Sequence, residues 1–231
     1  MHIVGMTVCV DYADVLAKSL DVWHSTLDQL VVVTAARDRA TQQLCAARGI
    51  TPVLTDLFWA DEARFNKGRA MALAYEQRVL PVLRDWMLFF DADIQPPMDW
   101  RAQVRAAEPV CGKLYGCYRT RETGELFGDP DIAGFFHLAH SADHRMAVRP
   151  IVATQYYHAG NYDSDFQNRW EAAERVRLPL RVIHHGDDPG ANWCGVGNNA
   201  QVRELQRRRR RGASWRNETL TNNPFTRPGR R

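Results

Sequence analysis

The sequence predicts an α/β domain, and three observations carry that prediction. Residues 6–90 read as strand, helix, strand, helix, strand, helix, strand, the alternation of a largely parallel sheet with covering helices. The last of these, Trp86–Phe90, is a run of five bulky apolar residues that stops at Asp91 and Asp93. A strand apolar on both faces belongs inside a sheet covered on both sides. Finally, 231 residues with 45% hydrophobic and 25% charged side chains suffice for one domain with a substantial core.

The elements follow in order. Residues 6–10 form an apolar strand and 12–20 a helix of mixed character. Residues 30–33 are a β-branched strand running into Thr34-Ala-Ala-Arg-Asp38. A helix over 39–48 stops at Gly49, which tolerates the positive φ of a helix end. Residues 50–54 are a third strand. A helix over 66–80 places Ala70 with Ala74 and Met71 with Tyr75 on one face, and Pro81 breaks it. The second half is less regular. Residues 113–119 and 134–140 read as strands, 163–176 as a helix from the spacing of Phe166, Trp170 and Ala173, and 180–183 as a last short strand. Gly, Pro and Asn then mark a loop to Asn199.

Charge divides the chain into two regions. Residues 201–231 hold ten arginines against Glu204 and Glu218, a net +8, which leaves −5 on residues 1–200 of a chain whose total is +3. The row Arg207, Arg208, Arg209, Arg210, Arg211 suits phosphates of a nucleic acid or an anionic membrane surface, and equally a solvated extension. The expected organisation is therefore a domain over 1–200 and an arginine-rich extension over 201–231. The N-terminal segment has no signal-peptide pattern, and no apolar run approaches the ~18 residues of a membrane span. Five cysteines without a Cys-x-x-Cys pair read as reduced thiols, so a cytoplasmic protein is expected.

Four segments carry candidate chemistry. Asp91 and Asp93, two apart at the end of a strand, face one cavity where open α/β sheets bind ligands. Paired carboxylates there call for a hard divalent cation, Mn2+ or Mg2+, with coordination positions left for substrate phosphates. Asn66-Lys67-Gly68 opens a helix, and Asn66 as cap with Lys67 in the first turn makes an anion site, Gly68 allowing close backbone approach. Asp163 and Asp165 open a further helix, where acids favour the helix dipole and one of them is a candidate general base. His184 and His185 end a strand and point to opposite faces, so one of the two can join the carboxylates around a metal.

In this order the segments resemble the GT-A fold, Asp-x-Asp nucleotide-sugar glycosyltransferases of family-2 type, over roughly residues 5–198. The resemblance rests on Asn-Lys-Gly opening a helix, an apolar strand ending in Asp-x-Asp, an acidic pair before an aromatic helix, and a strand-end His followed by Asn192-Trp193. It implies a mixed sheet with helices on both faces and a metal-dependent transfer of sugar from a nucleotide-diphosphate donor, UDP before GDP, with inversion. Asp93 would bind the metal, Asp91 the ribose or the metal through water, and His184 would complete the metal site, with His185 as fallback. Asn66 and Lys67 would lie near the diphosphate, Trp193 on the donor side, and Asp11, Thr34 and Asp38 around base and ribose. Asp165 would be the base, with Asp163 its rival. A polyanionic acceptor such as modified DNA would suit the arginine row. Two other readings remain open from the residues: a nucleotidyltransferase, which also sets carboxylates and a metal at strand ends, and a nucleic-acid-binding module acting through the arginines.

Overall fold

The computed structural model describes residues 1–128, 131–132, 134–156 and 158–185. Trp193, Cys194 and the extension 201–231 with its row 207–211 lie outside the described residues. Among those described, eight strands form one mixed sheet in the order β3-β2-β1-β4-β7-β6-β8-β5. They are β1 (Ile3–Val8), β2 (Gln29–Thr34), β3 (Val53–Leu54), β4 (Trp86–Phe90), β5 (Ile94–Gln95), β6 (Leu114–Arg121), β7 (Phe136–His140) and β8 (Arg175–His184). Strands β3, β2, β1 and β4 run parallel. β7 is antiparallel to both β4 and β6. β8 is parallel to β6, and β5 is antiparallel to β8. The parallel half matches the alternation in the sequence, whereas the second half departs from a largely parallel arrangement.

All five residues of β4 are buried, as a both-face apolar strand requires. Their side chains alternate between two cores. Met87 and Phe89 join the face covered by α3 (Lys67–Ala74) and α5 (Tyr162–Gln167). Trp86, Leu88 and Phe90 join the face that holds Trp23 of α1 (Ala13–Thr26) and Trp100 of α4 (Trp100–Ala106).

Tertiary bonds account for several differences from the sequence reading. α1 continues past residue 20 because Trp23 is fully buried, and its indole Nε1 donates to the Ile94 carbonyl at 2.8 Å. Trp100 Nε1 donates to Thr26 Oγ1, also at 2.8 Å. These two bonds hold β5 and α4, neither of which the sequence predicts, against α1 and so fix the chain just after Asp93. α2 (Arg39–Ala46) is followed by Gly49 at φ +69, as expected, and Asp38 caps its start. α3 stops at Ala74 and continues as one wider helical turn over Tyr75–Val79.

The helix over 163–176 is a correction. Helix α5 ends at Gln167, Trp170 is turned into the core with its indole donating to Asp143 Oδ2 at 3.1 Å, and β8 already begins at Arg175. Leu178, Leu180 and Val182 alternate inward along β8 while Pro179, Arg181 and Ile183 face out, a period-two pattern that extends well before residue 180. The four described free cysteines are Cys9, Cys45, Cys111 and Cys117. Burial pushes the Cys9 and Cys45 thiols up to about 12 and about 11, so neither is a ready nucleophile.

Candidate active site

The end of β4 and the start of α3 meet through one short contact. Lys67 Nζ donates to Asp91 Oδ1 at 2.5 Å and sits 5.0 Å from the centre of the Tyr162 ring. Local sequence sets this up. Asn66 caps α3 by accepting from Arg69 N at 2.9 Å, and its own amide donates to the Thr154 carbonyl at 2.8 Å. Gly68 follows because the backbone of Ala153 lies against it: a Cβ at this position would collide with the Ala153 carbonyl oxygen. The close approach that Gly68 permits is therefore to the protein's own chain, which correctly seats α5 over α3. Burial would push the Lys67 ammonium down, but Asp91 and the Tyr162 hydroxyl outweigh it and hold the group above its ordinary value. Lys67 is a fixed positive charge.

Asp93 lies past the strand end, where the chain turns into β5. Its backbone carbonyl accepts from His185 N at 2.7 Å, and its Oδ2 is 3.5 Å from His184 Nε2. Asp93 Oδ1 and His184 Nδ1 are buried and hydrogen-bond to nothing among the described residues. Burial first, then the charge of Asp91, pushes Asp93 up to about 7. Burial first, then Arg119, pushes His184 down to about 4. At neutral pH the His184 imidazole is therefore neutral and Asp93 is divided between its carboxyl and carboxylate forms, so the two make no fixed ion pair.

Asp163, the third acid, is half-buried on α5 against Gly134, where any side chain would collide with its carboxylate. Burial, then the charge of Asp91, pushes it up from the usual carboxylate range. Tyr162, Asp163, Lys67, Asp91, Asp93 and His184 thus form one electrostatically linked group at the carboxyl ends of β4 and β8. Tyr162 is the member that sequence reasoning missed. Its only signal is a bulky aromatic directly before the acidic pair.

Other sequence candidates are placed elsewhere. His185 points to the opposite face, with Nδ1 2.5 Å from Glu122 Oε1 and Nε2 2.6 Å from Gln95 Oε1. Lys18 first, then His185, draws Glu122 down to about 2. Asp165 is turned away from Asp91 and accepts from Tyr156 Oη at 2.8 Å and Gln155 Nε2 at 3.0 Å. At the ends of β1 and β2, Asp38 is buried and fully engaged. It accepts from Thr41 N at 3.1 Å, Asp11 N at 2.8 Å and Thr34 Oγ1 at 3.1 Å, so the side chains of Thr34 and Asp38 are spent on the fold. Asp11, at φ +54, instead holds Arg37 at 2.7 Å, and the Arg37 guanidinium lies 4.7 Å from the centre of the Trp59 ring. Trp193 lies outside the described residues. Among those described, no three His, Cys, Asp or Glu side chains are grouped to hold a metal by themselves.

No family model and no curated protein matches the sequence. Solved structures do match. The crystal structure of a mycobacterial protein is similar with a TM-score of 0.56 at 16% identity, over 83% of this chain and 69% of that one. Glucosyl-3-phosphoglycerate synthase from Mycobacterium tuberculosis, in complex with Mn2+, UDP and glucosyl-3-phosphoglycerate, is similar with a TM-score of 0.55 at 13% identity, over 81% and 73% of the chains. Its complex with Mn2+, UDP and phosphoglyceric acid gives 0.55 at 12%, over 86% and 80%. At such identities the likeness establishes the fold: a single mixed α/β domain of GT-A type.

Proposed function

We propose that this chain is a metal-dependent glycosyltransferase that moves a sugar from a nucleoside-diphosphate donor, UDP before GDP, to an acceptor hydroxyl. The observation that carries this reading is the pair Asp93 and His184, whose buried Oδ1 and Nδ1 lack partners among the described residues beside a Lys67–Asp91 contact. An oxygen and a neutral imidazole nitrogen suit Mn2+. Two protein ligands are too few to close a metal site, which fits an ion completed by substrate phosphates. The described residues therefore accommodate the metal that the resemblance implies. The similar synthase, in complex with Mn2+ and UDP, supports the same choice of ion and base.

Asp93 and His184 would hold the ion, which when bound neutralises charge on the departing diphosphate. Lys67 adds a fixed positive charge at the first turn of α3. Asp163 takes the acceptor proton as the acceptor oxygen bonds to the anomeric carbon and the bond to the diphosphate breaks. Its raised pKa makes it a stronger base than an ordinary carboxylate. Asp163 is preferred to Asp165 because only its carboxylate faces the Asp91 group. A base and a leaving group on opposite faces of the sugar give inversion.

A thermal-shift panel of nucleoside diphosphates with and without Mn2+ tests the reading. UDP with Mn2+ should raise the melting temperature, since a ligand at 100 Kd stabilises by about 2.7 kcal/mol. Absence of any metal-dependent nucleotide shift, or a shift undiminished in Asp93→Asn, would overturn it.

A further inference from the structure

His185 turns away from the Asp93 and His184 side chains, yet its amide and both ring nitrogens tie together the segments that carry them. The amide donates to the Asp93 carbonyl at 2.7 Å, one step beyond the pairing of Ile94 with His184. The buried ring lies between Gln95 and Glu122, with Nε2 2.6 Å from Gln95 Oε1 and Nδ1 2.5 Å from Glu122 Oε1. Gln95 is two residues past Asp93, and His185 directly follows His184. One imidazole therefore joins the start of β5 to the end of β8, the two places from which Asp93 and His184 come.

Glu122 reaches His185 because β6 ends in a tight reversal. Arg121 N donates to Glu125 O at 2.8 Å and Gly124 N to Arg121 O at 2.9 Å, with Gly124 at φ +86, a conformation glycine adopts without strain. Lys18 of α1 holds Glu122 from outside at 2.8 Å. The return of the same hairpin brings Phe127 back beside β6, its N donating to Arg119 O at 3.0 Å. The Phe127 ring meets the His184 ring edge-on, centres 5.4 Å apart. The guanidiniums of Arg119 and Arg121, 4.5 Å and 4.4 Å from the centre of the Phe127 ring, pack it in place. A metal-binding imidazole is usually oriented by a hydrogen bond through the nitrogen that does not face the metal. Among the described residues, His184 Nδ1 has no hydrogen-bond partner, and Nε2 has only Asp93 Oδ2 near it at 3.5 Å. Its ring is therefore oriented by packing, and its backbone by what holds His185. The 121–127 hairpin supplies both.

We propose that the 121–127 hairpin positions the metal-binding pair: Glu122, through His185, fixes the strand ends that carry Asp93 and His184, and Phe127 fixes the His184 ring. The proposal rests on the glycosyl-transfer reading above, which makes Asp93 and His184 the ligands. It makes Glu122, His185 and Phe127 positioning residues that do not touch the ion.

The test titrates Mn2+ into the full chain with UDP present, follows the free ion by electron paramagnetic resonance, and measures the metal-free melting temperature beside it. Glu122→Ala and Phe127→Leu should each raise the Mn2+ Kd about tenfold, the scale on which the supports of metal ligands act. Glu122→Gln keeps an oxygen towards His185 Nδ1 and should restore the Kd to within about threefold of wild type. Arg101→Ala is the stability control. It removes bonds to Asp28, Thr26 and Met1 around the start of β1, the opposite end of the sheet, and should lower the melting temperature with the Mn2+ Kd unchanged. An unchanged Mn2+ Kd in both Glu122→Ala and Phe127→Leu would overturn the proposal. So would a loss of Mn2+ affinity in Arg101→Ala that matches theirs, since general stability would then explain all three. Tighter Mn2+ binding in Glu122→Ala would show His185 released to become a ligand and would overturn it as well. Each of those outcomes leaves Mn2+ binding by the wild type intact, whereas a wild type that binds no Mn2+ sinks the glycosyl-transfer reading and the hairpin's role with it.

Discussion

Lys67 Nζ and Asp91 Oδ1, 24 residues apart, stand 2.5 Å from each other and join the first turn of α3 to the end of β4. This contact ties the segment from Asp91 to Asp93 to the start of α3. Lys67→Met should therefore leave Asp91 and Asp163 facing one another without a counter-charge. Because Asp91 is partly exposed, solvent screening limits the cost to about 1–3 kcal/mol. Urea denaturation of Lys67→Met, Asp91→Asn and the double variant measures it. The double variant should be more stable than Lys67→Met alone, and equal additive losses would show that the two side chains do not interact.

Gly68→Ala tests the packing of α3. The new methyl group meets the Ala153 carbonyl, a backbone atom that cannot swing aside. Melting temperature should fall by the equivalent of about 1–3 kcal/mol, as overpacking does. Nucleotide affinity should fall with it, because the chain after Ala153 leads into Tyr162 and Asp163 at the start of α5.

Asp93 gives a pH dependence whose sign can be worked out. Its folded pKa is about 7, above the ordinary value of 3.8, so the folded state keeps a proton that the unfolded chain has lost. The stability contribution is full below about pH 4 and declines as pH rises towards 7. Asp93→Asn has no such titration. In metal-free protein, the advantage of Asp93→Asn over wild type should grow between pH 5 and pH 8 by about 2 kcal/mol. A constant difference across that range would show that Asp93 is an ordinary solvated acid.

Asp163 and Asp165 separate by transfer kinetics. Asp163→Asn should lower turnover by roughly 10²–10⁴ with little change in UDP and Mn2+ binding. Asp165→Asn breaks bonds to Tyr156 and Gln155 and should cost stability more than turnover. The reverse order would place the base on the other face of α5.

Much of the parallel half was legible because local signals and tertiary packing agree there. Trp86–Phe90 is apolar enough to be a strand anywhere, and Asn66 caps its helix as its type suggests. β5 was invisible because two residues before Pro96 carry no pattern, and what makes them a strand is Ile94 pairing with His184 and accepting from Trp23. The helix over 163–176 failed because Trp170 has helical spacing but is claimed by Asp143, 27 residues away. The roles of Asp163 and Asp165 could not be ranked from spacing, since the choice depends on which face of α5 meets Gly134. His184 and His185 posed the same question, and Gln95 and Glu122 answer it by taking His185.

Asp38 has a consequence for changing nucleotide preference by mutagenesis. Its carboxylate ties the amide of Asp11, the hydroxyl of Thr34 and the first turn of α2, so any substitution there loosens two strand ends together. If the proposed nucleotide site lies at these strand ends, variation in base recognition would come from side chains that can be exchanged without that penalty. Arg37, with 59% of its side chain exposed, and the half-buried Trp59 beneath it are the two that qualify at this rim. A library randomised at those two positions would sample new specificities on an intact scaffold, whereas one randomised at Asp38 would chiefly sample unfolding.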